Sequence, residues 1–367
     1  MRSTNPGFVP DSPFYRPLPP EWLDFFARFP KAELHCHLLG TITKETFRDL
    51  VRLSGSTALT AAEIDEFYTR GEKPVGVLRI FRALEKDILT KPEFLRRITL
   101  EHLERAAALG VRYIEFFWNW TGLAHSMSFE AAQAQIVEGL REGERRFGIT
   151  GRLIPSIDRE DTPEAAVELV REMIAHRQPE TIGLGIDYRE TAHEPENFWK
   201  AYRLAKEAGF RTTAHAGEFG EHWRNVETAL TLLECDRIDH GYTIVDNEAL
   251  AASEAARNTC FSVVPTNSYY LRTFSDEEWA VRHPIRKMVE LGLRVFPNTD
   301  DPTMHQVNAS EAWMLMFNYL GFSLSDLRGF LLNSIEAAWV DETLKARWRK
   351  EWPEAFDTLA AGLPAIG

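Results

Sequence analysis

The segment Glu33-Leu34-His35-Cys36-His37-Leu38-Leu39-Gly40 decides the fold and the chemistry expected of this chain. Successive side chains of a β-strand point to opposite faces, so His35 and His37 lie on the same face and can hold one metal ion. Taken alone, the pair fits a chance arrangement on a half-exposed strand equally well. The metal becomes the better interpretation because polar segments follow or end three later apolar runs: Thr-Ala-His-Ala-Gly-Glu at 213–218, Arg-Ile-Asp-His-Gly at 237–241 and Asn-Thr-Asp-Asp-Pro at 298–302.

The composition is that of an ordinary globular chain with an excess of acidic residues. The chain has 367 residues, of which 44% are hydrophobic and 26% charged, and its formal net charge is −13. This charge disfavours a partner with a phosphate backbone, so we expect a small neutral or cationic substrate and no nucleic acid. The cysteines Cys36, Cys235 and Cys260 show no paired spacing, which favours a reducing, cytoplasmic compartment. We see no secretory signal and no run of about 18 apolar residues, so we expect no membrane contact.

Eight short apolar runs alternate with amphipathic stretches, which predicts parallel strands joined by helices. Eight such units in a chain of this length favour one (β/α)8 TIM-type barrel domain over residues 1–367. An open doubly wound sheet is the alternative. The predicted strands are residues 32–38, 111–118, 153–157, 182–186, 210–214, 237–239, 260–264 and 293–296.

Segments outside the alternating units predict an arm, an insertion and extra helices. Prolines keep the N-terminal arm, residues 1–30, irregular until a short helix at 22–28. Residues 54–95 carry helical signals without a strand, and we expect this helical insertion after the first strand to cover a pocket. Capping boxes are expected at Thr60-Ala61-Ala62-Glu63 and Thr90-Lys91-Pro92-Glu93, and N-caps at Thr41 or Thr43 and at Ser310. Other predicted helices are 43–53, 93–109, 128–146, one from 162, 195–208, 223–234, 247–255 and 283–291, with extra C-terminal helices at 310–319 and 325–339.

Four histidines differ from the other seven because they lie at the carboxyl ends of predicted strands. His35, His37, His215 and His240 belong to strands one, five and six, and Asp300 follows strand eight. In a (β/α)8 barrel these ends meet at one mouth, so these five side chains are expected to converge there. For the remaining histidines we expect surface or capping roles: His102, His125, His176, His193, His222, His283 and His305.

Three neutral imidazoles and one carboxylate form a donor set that suits a single zinc ion and leaves a position for water. Zinc lowers the pKa of a water molecule toward about 7, which makes hydrolysis the expected reaction class. Other polar groups can move protons, because Glu218 can protonate a ring atom and His240 can receive the water proton. Asp301, beside Asp300 and followed by Pro302, is expected to face the substrate.

The motifs His-x-His-Leu, His-Ala-Gly-Glu, His-Gly and Asn-Thr-Asp-Asp-Pro occur in this order, spread over most of the chain. With them the chain resembles the adenosine deaminase-type aminohydrolases. The resemblance implies a (β/α)8 barrel that deaminates an adenine-type purine (adenosine, adenine or a modified adenine) with zinc and water, releasing ammonia. Glu218 would donate a proton to the purine ring, His240 would orient or deprotonate the water, and Asp301 would contact the water and the base. The implied zinc ligands are His35, His37, His215 and Asp300.

Two departures from the family pattern bear on the substrate. Nucleoside-specific members usually carry an acidic residue, placed to meet the sugar, where this chain has Leu39, whose side chain forms no hydrogen bond. After the fourth strand, the usual small segment is replaced by Gly185-Ile186-Asp187-Tyr188-Arg189-Glu190, so we expect a bulkier, charged segment near the base. Substrates without a free ribose are therefore expected to compete well. The candidate substrate-binding residues are Leu39, Gly185, Asp187 and Glu190.

Other classes of function are excluded or remain as alternatives. A cytidine-type deaminase is excluded because the chain lacks Cys-x-x-Cys and its nearest motif, His193-Glu194-Pro195, lacks glutamate at the third position. A metal-dependent hydrolase of another heterocyclic amine or amide is the main enzymatic alternative, although the fourth strand offers no lysine to bridge a second metal. The non-enzymatic alternative is a catalytically dead binding protein on the same fold. The oligomeric state is left open.

Overall fold

Eight parallel strands form one sheet in which each strand is hydrogen-bonded to the strand that follows it along the chain. The structure is a computed structural model and describes residues 10–68, 77–190 and 195–366. All eight strands lie where the sequence predicts them: β1 Lys31–His37, β2 Val111–Trp118, β3 Thr150–Asp158, β4 Gly183–Asp187, β5 Arg211–Ala216, β6 Arg237–His240, β7 Cys260–Val263 and β8 Arg294–Pro297.

The sheet closes where the segment after β8 meets β1. The main-chain N–H of His37 donates to the Asp300 carbonyl at 2.9 Å, and the Asp300 N–H donates to the His35 carbonyl at 3.0 Å. A side chain adds a third bond, since Asn298 Oδ1 accepts from the Leu34 N–H at 2.8 Å. The prediction of a (β/α)8 barrel is therefore confirmed, and the open doubly wound sheet does not apply.

Helices connect the strands, and further helices follow β8. They are α1 Pro20–Arg28, α2 Lys44–Ser54, α3 Ala61–Phe67, α4 Val77–Ala83, α5 Pro92–Ala107, α6 Phe129–Phe147, α7 Pro163–Ala175, α8 Trp199–Glu207, α9 Arg224–Thr231, α10 Glu248–Arg257, α11 Ser268–Thr273, α12 Asp276–Arg282, α13 Pro284–Glu290, α14 Ala309–Asn318, α15 Leu324–Ala337 and α16 Glu342–Ala360. The predicted helix at 195–208 begins as the 3₁₀ turn Pro195–Phe198, and α11, α12 and α16 have no counterpart among the predicted helices. No described helix is long and apolar enough to cross a membrane.

The helical insertion and the N-terminal arm follow the prediction where the structure describes them. Between α2 and α5 lie α3, α4 and the π-helical turn Leu84–Ile88, while residues 69–76 lie outside the described residues. Of the arm, residues 10–19 hold no helix and residues 1–9 lie outside the described residues. The arm is tied to α14 because the Arg16 N–H donates to Asn318 Oδ1 at 3.1 Å. That residues 1–367 form one domain stays a prediction.

The starts of α2 and α14 test the predicted N-caps. Thr43 caps α2 through its side chain, so the choice between Thr41 and Thr43 falls to Thr43. The prediction of Ser310 is wrong, because Asn308 Oδ1 accepts from the Glu311 N–H at 3.0 Å and the Glu311 carboxylate accepts from the Asn308 N–H at 2.8 Å. This reciprocal capping box begins the helix two residues earlier and leaves Ser310 inside it.

The two predicted capping boxes have different outcomes. Thr60 and Glu63 form the reciprocal box at the start of α3. The box predicted at Thr90 is wrong, because α5 begins at Pro92 and its N-cap, Lys91, makes no side-chain capping bond. A proline suits the first helical position, and it keeps the preceding residue out of the helical region, so the helix cannot start from Thr90.

A buried ion pair lies at the amino-terminal end of β6, away from the carboxyl ends of the strands. Arg237 is 1% exposed and donates to Glu115 Oε2 at 2.6 Å and to the Leu34 carbonyl at 3.0 Å. The centre of the Trp339 ring lies 4.1 Å from the guanidinium carbon. These groups fill this end of the barrel, which leaves the opposite, carboxyl end for the chemistry.

Candidate active site

Four of the predicted side chains converge at the carboxyl end of the barrel. β1 carries His35 and His37, β5 carries His215, and Asp300 follows β8 at the closing seam. Each offers one ligand atom, and these atoms lie within 4.8 Å of one another. All four residues are buried.

The nitrogen atoms that meet are the Nε2 atoms. His37 Nε2 lies 3.1 Å from His215 Nε2 and 3.2 Å from Asp300 Oδ1, and His35 Nε2 lies 3.5 Å from the same oxygen. His35 Nε2 is buried and has no hydrogen-bond partner among the described residues. Three nitrogen atoms and one carboxylate oxygen that lie this close together fit a divalent metal ion.

The Nδ1 atoms of the same rings point away from the cluster toward acidic partners. His35 Nδ1 lies 3.0 Å from Ser262 Oγ, which donates to Asp239 Oδ1 at 2.6 Å. His215 Nδ1 lies 3.6 Å from Asp239 Oδ2, and His37 Nδ1 lies 3.4 Å from an Asp187 oxygen. Such partners keep the hydrogen on Nδ1 and leave the Nε2 lone pair for a metal.

Sequence reasoning did not assign roles to Asp239 and Ser262. Asp239 stands in the quoted segment 237–241, for which the sequence predicts a role only for the neighbouring His240. The parallel register between β5 and β6 pairs His215 with Asp239, which brings the carboxylate to the imidazole. A signal was present, because a buried polar residue on a central strand requires a partner.

The Phe117 ring shields the three histidines. Its centre lies 5.3 Å from the ring centre of His35, 5.2 Å from that of His37 and 5.1 Å from that of His215. Phe117 is 1% exposed and stands near the end of β2. An apolar wall beside charged ligands lowers the local dielectric constant and strengthens their mutual attraction.

The charges within the cluster favour the bound cation. Burial raises the pKa of Asp300, but the close contacts and charges of His35 and His37 outweigh burial and hold it well below its ordinary range. Burial lowers the pKa of His37, yet the Asp300 hydrogen bond and the nearby carboxylates raise it to about 10. A metal ligand must be deprotonated, so a bound cation replaces the proton that His37 and Asp300 would share.

Glu218 stands three residues after His215, where the chain leaves β5. Gly217 between them has a φ of +66°, and a Cβ there would lie 2.4 Å from Thr243 Oγ1, so this turn requires glycine. Burial, together with the charges of Asp300 and a second carboxylate, raises the pKa of Glu218 well above its ordinary value. A carboxyl group that keeps its proton near neutral pH can act as a general acid.

His240 faces Glu218 at the end of β6. Its Nε2 lies 3.6 Å from Glu218 Oε2, and its Nδ1 lies 3.2 Å from the Tyr242 hydroxyl. His240 has a φ of +66°, a left-handed conformation that is costly for a residue with a Cβ and is found most often at functional sites. Burial, followed by the charge of His35, lowers the pKa of His240 well below its ordinary value, so the ring is neutral and can accept a proton.

Asp301 lies next to the ligand Asp300 and against the first segment of the chain. A Cβ on Gly40 would lie 2.1 Å from Asp301 Oδ1, so glycine at that position leaves room for the carboxylate. His305 Nε2 lies 3.9 Å from Asp301 Oδ2, and the main-chain N–H of His305 donates to the main-chain carbonyl of Asp301 at 2.7 Å. His305 is 4% exposed, so the expected surface or capping role is wrong for this residue.

The outcome is mixed for the other histidines. His102 is buried, with Nε2 3.9 Å from Cys36 Sγ, and burial lowers its pKa to about 3, so its predicted surface or capping role is also wrong. His283 has the expected capping role, because its Nδ1 accepts from the Ile285 N–H at 3.3 Å at the start of α13. His193 lies outside the described residues.

Two of the predicted substrate-binding carboxylates face protein groups. Asp187 Oδ1 accepts from Asn119 Nδ2 at 2.6 Å, and its other oxygen faces the imidazole described above. Glu190 Oε1 accepts from the Gly217 N–H at 2.6 Å, and Oε2 accepts from the Glu218 N–H at 2.8 Å. Both carboxylates thus face protein groups that they can position, and their contact with the substrate stays a prediction.

The other two predicted substrate-binding residues are buried near the ligands. Leu39 is 3% exposed in the 3₁₀ turn that directly follows β1. A Cβ on Gly185 would lie 2.6 Å from Ser156 Oγ and 3.0 Å from the Phe117 ring, so glycine is needed there for packing. The helical insertion reaches the same place, because the Phe81 ring centre on α4 lies 6.1 Å from a ligand ring, that of His37.

Comparison with solved structures places this barrel among known hydrolases. An amidohydrolase from Burkholderia ambifaria with bound zinc is 56% identical, with a TM-score of 0.96 over 97% of this chain and 98% of that chain. The adenine deaminase of Arthrobacter aurescens is 26% identical, with a TM-score of 0.81 over 91% of this chain and all of that chain. The zinc-bound neighbour supports a divalent metal in the histidine and aspartate cluster.

Comparison with characterised sequences gives the same assignment. The adenine deaminase of Vibrio parahaemolyticus is 30% identical over 328 residues, or 89% of this chain and 95% of that protein. The adenine deaminase of Ralstonia nicotianae is 31% identical over 343 residues, or 90% and 96%. The family model for adenosine deaminase matches residues 30–353. With the histidine and aspartate cluster and the barrel, this match shows that the chain belongs to the adenosine deaminase family and is an aminohydrolase that acts on amidine carbon–nitrogen bonds.

Proposed function

We propose that the chain uses one zinc ion to deaminate an adenine-type purine by hydrolysis. The observation that carries the proposal is the position of Glu218 and His240 beside the metal ligands. Each offers an atom to a group with Asp300 in which these atoms lie within 4.8 Å of one another. A proton donor, a proton acceptor and a metal site at one place are what hydrolysis of a ring amino group requires.

The donor set and a neighbour support zinc as the metal. Imidazole nitrogen and carboxylate oxygen suit a divalent zinc ion, and the 56% identical amidohydrolase contains zinc. When bound, zinc would supply the Lewis acidity that lowers the pKa of a water molecule. Every described group of three or more potential ligands includes Asp300, which supports one ion per chain.

The side chains around the ligands would move the protons of the reaction. As the oxygen of a water molecule adds to the amino-bearing carbon, Glu218 would donate its proton to the adjacent ring nitrogen. His240 would accept a proton from that water at Nε2 and later return it to the departing amine. The proton that remains on the added oxygen would return to Glu218 as the carbon–nitrogen bond breaks, so ammonia leaves and the ring keeps a carbonyl oxygen. Asp301 would orient the water and the base.

The alternatives have less support. A catalytically dead binding protein predicts at least one lost ligand, whereas His35, His37, His215 and Asp300 are all present and together. A hydrolase of another heterocyclic amine or amide would fit the same barrel. The names of the relatives, adenine deaminase and adenosine deaminase, favour a purine.

Among adenine-type purines, the preferred substrate would lack a free ribose. Leu39 lies directly after β1 and next to Gly40, whose backbone packs against Asp301. Its apolar side chain offers no carboxylate to a sugar hydroxyl, although a site built around such a bond discriminates strongly against ligands that lack it. The adenine deaminase names of the Vibrio and Ralstonia relatives agree with this preference.

A purine panel on the purified protein, with its zinc content measured, tests these proposals. We expect one zinc ion per chain, and release of ammonia from adenine or 5′-deoxyadenosine, or of the substituted amine from an N6-substituted adenine, with kcat/KM at least equal to that for adenosine. A preference for adenosine over 5′-deoxyadenosine above about tenfold, or about 1.4 kcal/mol, would overturn the ribose proposal. Release of neither ammonia nor a substituted amine from any purine of the panel would overturn deamination, and activity that follows a second metal equivalent would overturn the single-ion site.

A further inference from the structure

A buried amide lies against the carboxyl group of Glu218. Asn267 follows β7, is 1% exposed and is the N-cap of α11. Its Oδ1 accepts from the Tyr269 N–H at 3.0 Å, and its Nδ2 donates to Glu218 Oε1 at 3.1 Å. Helix capping explains only the first of these two bonds.

The two bonds together fix the direction of the amide. A main-chain N–H can only donate, so the oxygen of the Asn267 side chain must face Tyr269. The amide nitrogen therefore faces Glu218, and since that nitrogen can only donate, Glu218 Oε1 must be an acceptor. The oxygen that remains to carry a proton is Oε2, which lies 3.6 Å from His240 Nε2.

The main chain of Glu218 is held as firmly as its side chain. The Glu218 N–H and the Gly217 N–H both donate to the Glu190 carboxylate, which also accepts from Asn225 Nδ2 at 3.0 Å. Glu190 is 1% exposed. Because the backbone is fixed by Glu190, the only freedom left to the carboxyl group is rotation about its side-chain bonds, and Asn267 restrains that rotation.

We infer that Asn267 is a positioning residue that directs Glu218 Oε2 toward the substrate, an inference that rests on the proposed function of Glu218 as the proton donor. Asn267 itself donates no proton to the substrate. Its contribution is geometric, since proton transfer requires the donor oxygen within hydrogen-bond reach of the ring nitrogen. A displacement of about 1 Å at such a group can cost about a hundredfold in rate.

The variant N267D separates positioning from capping. Aspartate caps a helix as well as asparagine does, so the bond with the Tyr269 N–H survives. A carboxylate oxygen cannot donate to Glu218 Oε1, so the second bond is lost, and the new carboxylate instead competes for the Glu218 proton. The matched control is N247D, because Asn247 caps α10 in the same way, with Oδ1 accepting from the Leu250 N–H at 3.1 Å.

We expect N267D to lower kcat on the best purine of the panel about tenfold or more, with KM and zinc content close to those of the wild type. N247D should match the wild type in all three. A purely structural role in capping predicts a wild-type kcat for N267D, and that result would overturn the inference. If the wild-type protein releases no amino group from any purine of the panel, that result would instead overturn the proposed function.

Unfolding temperatures test the contact between residues 267 and 218 without measuring the reaction. In N267D the introduced carboxylate and the Glu218 carboxyl group must share the one proton that Glu218 carries, whereas in N267D/E218Q the glutamine amide donates to the carboxylate at any pH. We expect the double variant to unfold at a higher temperature than N267D, although E218Q alone gives no such gain in the wild-type background. Equal effects of E218Q in both backgrounds would show that the two side chains do not interact and would overturn the inference.

Discussion

At the scale of the residue, each ligand histidine uses both of its ring nitrogens. The Nε2 atoms meet in the cluster, and the Nδ1 atoms face polar or acidic side chains of other strands. Asp239 alone serves two ligands, through Ser262 to His35 and directly to His215. Its Oδ2 also accepts from Thr213 Oγ1 at 2.7 Å, so the carboxylate cannot turn away.

We expect Asp239→Asn to weaken zinc binding about 10- to 100-fold, the usual effect of removing such a partner. The amide keeps the shape, but it lacks the negative charge that favours the Nδ1–H form of the imidazoles. Competition with a chelator measures the affinity. Asp236→Asn is the matched control, because Asp236 lies just before β6 and pairs with the exposed Arg211. Equal zinc affinity in the two variants would contradict the role of Asp239.

We expect Glu218→Gln to retain zinc and to lose about 10²- to 10⁴-fold in kcat, since the amide fills the same space but has no carboxyl proton to donate. Metal analysis and ammonia release measure the two effects. Glu221→Gln, on the same loop, is the control and should stay close to wild type. A wild-type rate for Glu218→Gln with normal metal content would remove Glu218 from the reaction.

The convergence of the four candidate ligand residues was predictable because each of them lies at the end of an apolar run, and barrel geometry brings such ends together. Their partners were not predictable in the same way. Whether Asp239 meets His215 depends on the register of two strands, and whether Glu190 meets the main chain at Gly217 depends on the path of two loops. Sequence order states neither, so these contacts of Asp239 and Glu190 could not be predicted.

At the scale of the element, strands were located more accurately than helix ends. An apolar run between polar turns marks a buried strand, whereas a helix start depends on which of several neighbouring side chains captures the free N–H groups. Asn308, and not Ser310, is the N-cap of α14 because Glu311 completes a reciprocal capping box with it. Pro92 excludes Thr90 because its ring sets the first helical position.

The cap of α13 makes stability depend on pH. Burial lowers the pKa of His283 from 6.5 to about 3. Between about pH 3 and pH 6.5, His283 is therefore protonated in the unfolded chain and neutral in the folded chain. The folded pKa lies below the unfolded one, so this contribution to stability is complete above about pH 6.5 and falls as the pH drops, by up to about 1.4 kcal/mol per pH unit.

We expect His283→Asn to keep the cap and to flatten the acid slope of stability. Asparagine can accept from the Ile285 N–H as the imidazole does, but it does not titrate. Urea unfolding at several pH values between 4 and 7 provides the comparison. The exposed His222→Asn serves as the control with an unchanged slope, and the same slope in His283→Asn would show that another group causes the loss.

At the scale of the whole molecule, the metal site and the closing seam of the barrel coincide. The two main-chain bonds that join the segment after β8 to β1 belong to His35, His37 and Asp300, the residues that also offer ligand atoms. The topology was predictable because eight alternating units allow few arrangements. That the candidate ligands would also close the barrel was not predictable, because the closure depends on hydrogen bonds made by the main chain of these same residues.

This coincidence predicts that zinc stabilises the fold as well as the reaction. His215 on β5 and the seam residues come from opposite parts of the chain, so unfolding must separate the ligands and release the ion. A ligand that binds only the folded state adds about 2.7 kcal/mol at a free concentration of 100 times Kd. Thermal unfolding of the zinc-loaded protein, of the chelator-treated protein and of the latter after zinc is restored measures the effect.

We expect chelation to lower the unfolding temperature and added zinc to restore it. In His215→Ala, which lacks the ligand from β5 but keeps the seam, the response to zinc should shrink, while its chelator-treated form should unfold near the temperature of the chelator-treated wild type. An unfolding temperature that is the same with and without zinc, at a measured occupancy near one, would show that the unfolded chain binds zinc as tightly as the folded chain and would contradict the prediction.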